Sequence, residues 1–281
     1  MKLLRYGAPG RERPGLLDDE HTIRDLSSLI EDLAGSALGA DAMARIRAID
    51  PATLAPVEGN PRFGPCVARV GKFICVGLNY SDHAAESGMT VPTEPIIFMK
   101  ATSCLSGPND DIVIPRGSMK TDWEVELGVV IGARAKYVDE GDAMAYVAGY
   151  CLVNDVSERT FQLEGTGQWV KGKSADTFGP IGPWLVTPDE IPDWRGRHMW
   201  LDVDGHRYQD GNTKTMVFGV PFLISYLSRF MSLQPGDVIA TGTPPGVGHG
   251  QKPPVYLRAG NQVRLGIEGL GEQRQRVAAD G

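Results

Sequence analysis

Asp122-Trp123-Glu124-Val125-Glu126-Leu127-Gly128-Val129-Val130-Ile131-Gly132 is the stretch on which the reading of the fold turns. It begins with strict alternation. Glu124 and Glu126 fall on one face and Val125 and Leu127 on the other, the period of a β-strand. Outward from it, short β-type runs separated by turns occupy 72–77, 95–100, 112–115, 148–155, 184–186 and 199–203. Asp204-Gly205 is a hairpin dipeptide between two such runs, and Pro235-Gly236-Asp237 turns the chain into a run at 238–240. One helix is expected in this part, over 221–231. The expected class is β-rich α+β.

Composition agrees. The chain has 281 residues with 35 Gly and 20 Pro, a density that long helices do not tolerate. Collagen is excluded by the lack of a Gly-X-Y period, and disorder by a 42% hydrophobic content. A net charge of −7 argues against a nucleic-acid footprint. Cys66, Cys75, Cys104 and Cys151 form no close pair, which fits a reduced cytoplasm better than a disulfide or zinc framework. Lys2 and Arg5 are followed by no signal-peptide apolar region, and no run approaches the ~18 apolar residues of a membrane span. A cytoplasmic protein is expected, with no membrane partner.

Residues 1–65 are expected to form a small domain of their own and 66–281 the main one. The first part offers a strand near the N-terminus, a hairpin over 15–26 and helical material over 27–33 and 40–49. Ser28 and Glu31 stand at capping-box spacing. A Pro/Gly-rich linker over 56–65 closes this part.

Chemistry concentrates in four places. Glu124 and Glu126, two apart on a strand, project from one face about 6–7 Å apart. Uncompensated carboxylates so close repel unless a cation lies between them or one takes a proton. A solvated strand face is the plainer reading, but Asp155 weighs against it: it ends an apolar run, where a carboxylate is costly without a partner. Three such oxygens suit Mg²⁺ or Mn²⁺. His83 and Glu86, at i and i+3 in Asn79-Tyr80-Ser81-Asp82-His83-Ala84-Ala85-Glu86, would meet on one helical turn, and a carboxylate behind an imidazole makes a general base. A structural histidine is the alternative. Gly88, Pro92 and Pro95 bracket this turn as a lid would require. Gly167-Gln168-Trp169-Val170-Lys171-Gly172-Lys173-Ser174 matches a phosphate loop in form only, for no strand precedes it and no long helix can follow. Lys173 keeps interest as a fixed cation near the acidic residues. Finally, 240–248 runs from a strand into a Gly/Pro loop whose amides and hydroxyls would receive a carboxylate, or which is a plain turn.

Taken together, these motifs resemble the fumarylacetoacetate hydrolase family. The resemblance rests on Gly77-Leu78-Asn79-Tyr80 with His83 and Glu86, on 122–127, and on Gly149-Tyr150 with Asn154-Asp155-Val156-Ser157. Lys173-Ser174 with 176–180, Pro235-Gly236-Asp237 and Thr241-Gly242-Thr243-Pro244 complete it, in the family's order, over about residues 66–270. It implies a mixed β-roll catalytic domain, a small N-terminal α+β domain and a homodimer. It further implies that Glu124, Glu126 and Asp155 hold Mg²⁺ or Mn²⁺. His83 and Glu86 would be a water-activating dyad and Lys173 the catalytic lysine. Arg159, Gln162 and Thr243 would bind the 2-oxo acid end of a small-molecule substrate. The implied activity is hydrolysis of the C3–C4 bond of a 2,4-dioxo acid to pyruvate and a carboxylic acid. The N-terminal MKLLRYG, 218–231 and 243–248 look closest to the branch acting on 2,4-diketo-3-deoxy-L-rhamnonate or L-fuconate. Oxaloacetate decarboxylation, fumarylpyruvate or acylpyruvate hydrolysis and 2-hydroxymuconate-type isomerisation use the same metal–enolate logic, whereas a non-enzymatic sugar-acid binder would not need all these groups. Glu158 stands where many relatives carry a small residue, with an expected effect on the adjacent pocket.

Overall fold

In the computed structural model, which describes residues 1–86 and 90–280, the chain opens on β1 (Lys2–Tyr6), β2 (Arg13–Leu17) and β3 (Ile23–Asp25). Helix α1 (Ala40–Arg47) follows, then β4 (Phe73–Gly77), α2 (Ser81–Glu86), β5 (Ile96–Lys100), β6 (Leu105–Ser106) and β7 (Ile112–Ile114). The middle of the chain forms β8 (Thr121–Asp122), β9 (Val125–Ile131), β10 (Val147–Asn154), β11 (Ser157–Glu158), α3 (Arg159–Leu163) and α4 (Val170–Lys173). Next come β12 (Gly179–Pro180), β13 (Leu185–Val186), β14 (His198–Val203) and β15 (His206–Asn212). Helix α5 (Val220–Phe230), β16 (Val238–Ala240), β17 (Gln262–Ile267) and β18 (Gly271–Ala279) complete it. The β-rich α+β class is therefore observed.

Two sheets carry the architecture. Nine strands run in the order β3-β2-β1-β13-β10-β9-β16-β4-β5, and five in the order β15-β14-β17-β18-β7. Strand β9 sits inside the larger sheet, antiparallel to both β10 and β16, and all seven of its residues are buried. The smaller sheet supplies its cover, because β9 and β10 lie against β14, β17 and β18. This explains why the polar–apolar alternation stops after Glu126: from Leu127 onward β9 has protein on every side. Helix α5 follows Gly219 with Pro221 in its first turn, and turns Val220, Leu223, Ile224 and Leu227 inward. Each such side chain contributes about 1.5–3 kcal/mol on burial. Phe218, Phe222 and Tyr226 stack along its outer face with centroids 5.2 and 5.9 Å apart.

Two expectations change. Residues 27–33 form turns, not a helix. Asp25 Oδ1 accepts the amide of Ser27, and Asp32 Oδ1 accepts both the amide of Leu33 and Arg5 Nε at 2.7 Å. Side-chain acceptors of this kind compete with the helical ladder and break the segment. The sheet also runs across the expected boundary at residue 65: β1 pairs with β13, and Leu3, Leu16 and Leu26 join the same buried cluster as β9 and β10. Helix α1 and the β2–β3 hairpin are as the sequence suggests.

Candidate active site

The site begins with register. The antiparallel β9–β10 ladder sets Val125 opposite Asn154 and Glu126 opposite Val153, so the first residue after β10, Asp155, falls level with Glu124, the residue before β9. Its amide donates to the Glu124 carbonyl at 2.9 Å. Carboxylate oxygens of Glu124, Glu126 and Asp155 all lie within 4.8 Å of one another, and all three residues are buried. A second pair of strands brings the remaining groups. Strands β4 and β16 are parallel neighbours, so the chain leaves both at the same end of the sheet. Asn79 ties the two exits together, donating to the Thr241 carbonyl at 2.7 Å and the Phe218 carbonyl at 3.1 Å. From one exit comes α2 with His83 and Glu86; from the other comes the 241–250 loop with Thr243.

The sequence-derived residues do meet. Glu124, Glu126, Arg159, Gln162, Lys173, Thr243, His83 and Glu86 all line one cavity of about 410 Å³. Asp155 is not in the cavity wall but is tied to it by Lys173, whose Nζ donates to Asp155 Oδ2 at 2.8 Å and Glu124 Oε2 at 2.7 Å. Arg159 Nη2 donates to Glu124 Oε1 at 2.7 Å, and its Nη1 donates to Gln162 Oε1 at 2.8 Å. His83 Nδ1 lies 3.2 Å from Glu86 Oε2, and the amide of Gly246 donates to both Glu86 oxygens at 3.1 Å. Gly246 is obligatory there: its φ is +104°, and a Cβ would stand 1.9 Å from the Tyr208 carbonyl oxygen. Thr243 reaches the cavity, but its hydroxyl donates to the Val125 carbonyl and accepts from Gln209 Nε2 at 2.7 Å. It therefore has no hydroxyl proton left for a ligand. Gly88 of the expected lid lies outside the described residues.

Electrostatics separate the two glutamates. Burial raises the Glu124 carboxyl, but Lys173 and Arg159 outweigh it and hold the group down to about 2. Burial, with Asp155 and Glu124 beside it, pushes Glu126 well above the usual carboxylate range. Burial lowers Lys173, yet Asp155 and Glu124 more than compensate and keep it raised. Glu126 accepts the Gly242 amide at 2.8 Å, and the ionisation that burial and its two neighbouring carboxylates oppose is what a cation between the three would favour. Three clustered hard oxygen donors fit a divalent cation of the Mg²⁺ or Mn²⁺ type.

Some groups in and around the site went unread in the sequence. Asp122 is fully buried and accepts from Arg159 Nε at 2.8 Å, Gly248 N at 2.7 Å, His249 N at 2.9 Å and Trp123 N at 2.8 Å. It anchors Arg159 and the 241–250 loop together. Asp122→Ala is expected to cost about 3–5 kcal/mol in denaturant unfolding, since it strips a buried guanidinium of a partner; a loss below about 1 kcal/mol, the range of a surface pair, would contradict that anchoring. Lys100 is buried behind Asp155 and donates to it. His249, given no role above, lines the cavity; burial and then Arg159 lower its basicity. Gln209 joins β15 to the site, accepting from Val125 N at 2.9 Å. Each is a single polar residue without motif spacing, so only tertiary contact reveals it. Glu158 does not line the cavity: it is buried, caps α3 by accepting from Phe161 N at 2.6 Å, and accepts from Ser118 and Lys120.

A cavity that gathers an acidic triad, a buried ammonium and an imidazole–carboxylate pair defines an enzyme acting on a small molecule. The chain belongs to the fumarylacetoacetate hydrolase family, whose C-terminal model matches residues 72–278. A Burkholderia multivorans protein named "Putative hydrolase" is 68% identical over 280 residues, 99% of each chain. The structure of a fumarylacetoacetate hydrolase from Exiguobacterium antarcticum is 34% identical, with a TM-score of 0.88 and full coverage of both chains. That of maleylpyruvate hydrolase from Sphingobium sp. SYK-6, in complex with manganese(II) ion and pyruvate, is 29% identical with a TM-score of 0.83, again over both whole chains. Among the described residues no helix is long and apolar enough to cross a membrane.

Proposed function

We propose that the chain hydrolyses the C3–C4 bond of a 2,4-dioxo acid, releasing pyruvate and a carboxylic acid. The observation that carries this reading is the His83–Glu86 pair on the same cavity as Glu124 and Glu126, the two glutamates of the acidic triad. Decarboxylation of a 2-oxo acid needs no activated water, whereas hydrolysis does.

A divalent cation held by Glu124, Glu126 and Asp155 would supply Lewis-acid stabilisation of negative charge at the 2-oxo acid end. Glu86 fixes the His83 ring through Nδ1, which leaves Nε2 to take the proton of a water attacking C4. The C3–C4 bond then breaks, its electron pair passes to C3 as pyruvate enolate, and C4 leaves as a carboxylic acid. Lys173, a buried ammonium in the cavity wall, stabilises the enolate and the 2-oxo acid charge. Arg159 and Gln162 offer their free N–H groups to the substrate carboxylate, while Thr243 shapes the wall. Protonation at C3 completes pyruvate.

Within this class, a 2,4-diketo-3-deoxy sugar acid, L-rhamnonate or L-fuconate type, is the proposed substrate. The cavity lining suits a tail with both apolar and polar faces, since Trp169, Leu163 and Val247 line it together with His249, Gln251 and Lys252. The maleylpyruvate hydrolase likeness makes an acylpyruvate with a second carboxylate the comparison substrate. A homodimer working in the cytoplasm belongs to the same proposal.

Coupled lactate dehydrogenase assays test the reaction. Pyruvate is expected from the dioxo sugar acids and, more slowly, from acylpyruvates; EDTA should abolish release and Mn²⁺ or Mg²⁺ restore it. Full activity in EDTA would remove the cation from the scheme. Pyruvate from oxaloacetate alone would replace hydrolysis by decarboxylation.

A further inference from the structure

Lys100 ends β5, one of the two edge strands of the nine-stranded sheet, yet its side chain is fully buried. Its ammonium donates to Asp155 Oδ1 and, at 3.1 Å, to the Val156 carbonyl. It does not line the cavity, so it has no route to a substrate. The Asp155 carboxylate is thus held from two sides: Lys100 takes Oδ1 from behind, and Lys173, on the cavity wall, takes Oδ2. The two lysines differ in what else they serve. Lys173 divides itself between Asp155 and Glu124, while Lys100 has one carboxylate. Asp155 lies just beyond the last paired residue of β10, where the ladder fixes its backbone but not its side-chain rotation.

We infer that Lys100 is the positioning residue of the cation centre: by fixing Asp155 Oδ1 it presents Oδ2 toward Glu124 and Glu126, and it keeps that orientation when Lys173 turns to the substrate. This rests on the proposed cation role of the triad. Outer partners that orient ligating carboxylates are typically worth 10–100-fold in metal affinity, that is about 1.4–2.7 kcal/mol.

Mn²⁺ titration followed by electron paramagnetic resonance, on the full chain, tests it. Lys100→Met, which keeps length and apolar bulk, is expected to weaken Mn²⁺ binding about 10–100-fold. Lys100→Gln, whose amide still donates to Oδ1, should fall between the two. In Lys100→Gln kcat at saturating Mn²⁺ should stay near wild type, with the Mn²⁺ concentration for half activation raised; a purely structural role would not produce that split. Affinities in both variants within about threefold of wild type would overturn the assignment, and if Lys100→Met does not fold, Lys100→Gln decides by the same threshold. A wild-type chain that binds no Mn²⁺ overturns the cation centre and Lys100 with it; a chain that binds Mn²⁺ equally well in all forms overturns Lys100 alone.

Discussion

His83→Ala is expected to lower kcat for pyruvate release by about 10²–10⁴-fold, the usual worth of a positioned general base. Its Mn²⁺ affinity should stay at the wild-type value. The two readouts separate because His83 sits on α2 and is hydrogen-bonded to Glu86, whereas the acidic triad sits at the start of β9 and just after β10. The loss should fall on kcat more than on KM, because the imidazole acts on water and not on the bound acid. Glu86→Gln should show a smaller loss, since Gln retains the contact to the Gly246 amide but not the charge behind the ring. Steady-state kinetics beside a Mn²⁺ titration check this. A His83→Ala enzyme with normal turnover would leave the imidazole a structural role and turn the proposal toward decarboxylation.

Glu126→Gln should have the second large effect: no measurable activity and no thermal stabilisation by Mn²⁺. A ligand that binds only the folded chain at 100 times its dissociation constant adds about 2.7 kcal/mol of stability, so the wild-type melting temperature should rise clearly on Mn²⁺ addition. The variant should not respond. Its own fold is expected to survive, because the amide oxygen keeps the Gly242 hydrogen bond and the change replaces a carboxyl whose ionisation burial, Asp155 and Glu124 already oppose. Differential scanning calorimetry with and without Mn²⁺ reads both halves. A variant that still melts higher with Mn²⁺ would show that Glu126 is no ligand.

Much of this was legible because strands announce themselves locally. The alternation at 124–127 gave both β9 and the shared face of Glu124 and Glu126, and the apolar run ending at Asp155 gave β10 and a carboxylate needing a partner. What the pattern could not supply was the register that makes Asp155 level with Glu124, since pairing is decided between strands. Lys100 looked like any strand-ending lysine, and Asp122 like a polar start to β9; their burial depends on β5 and the 241–250 loop closing over them. The helix expected over 27–33 failed for the opposite reason. Its capping spacing was present, but Asp25 and Asp32 spent their side chains on nearby amides and on Arg5, interactions that periodicity does not weigh. The division at residue 65 followed a real Pro/Gly stretch, yet β1 reaches across it to β13.

The parallel pairing of β4 with β16 also has a consequence for how the enzyme comes to life on the ribosome. Glu86 meets its Gly246 amide across 160 residues of chain, and Glu126 meets Gly242 across 116. Strands β9 and β10 can pair early, soon after both have emerged, but β16 must be synthesised before it can slot between β9 and β4. Contacts of such sequence separation form late, after their loop-closure entropy has been met. A nascent chain therefore lacks the Gly242 and Gly246 amides that hold Glu126 and Glu86, and the site is complete only when the chain from β16 onward docks.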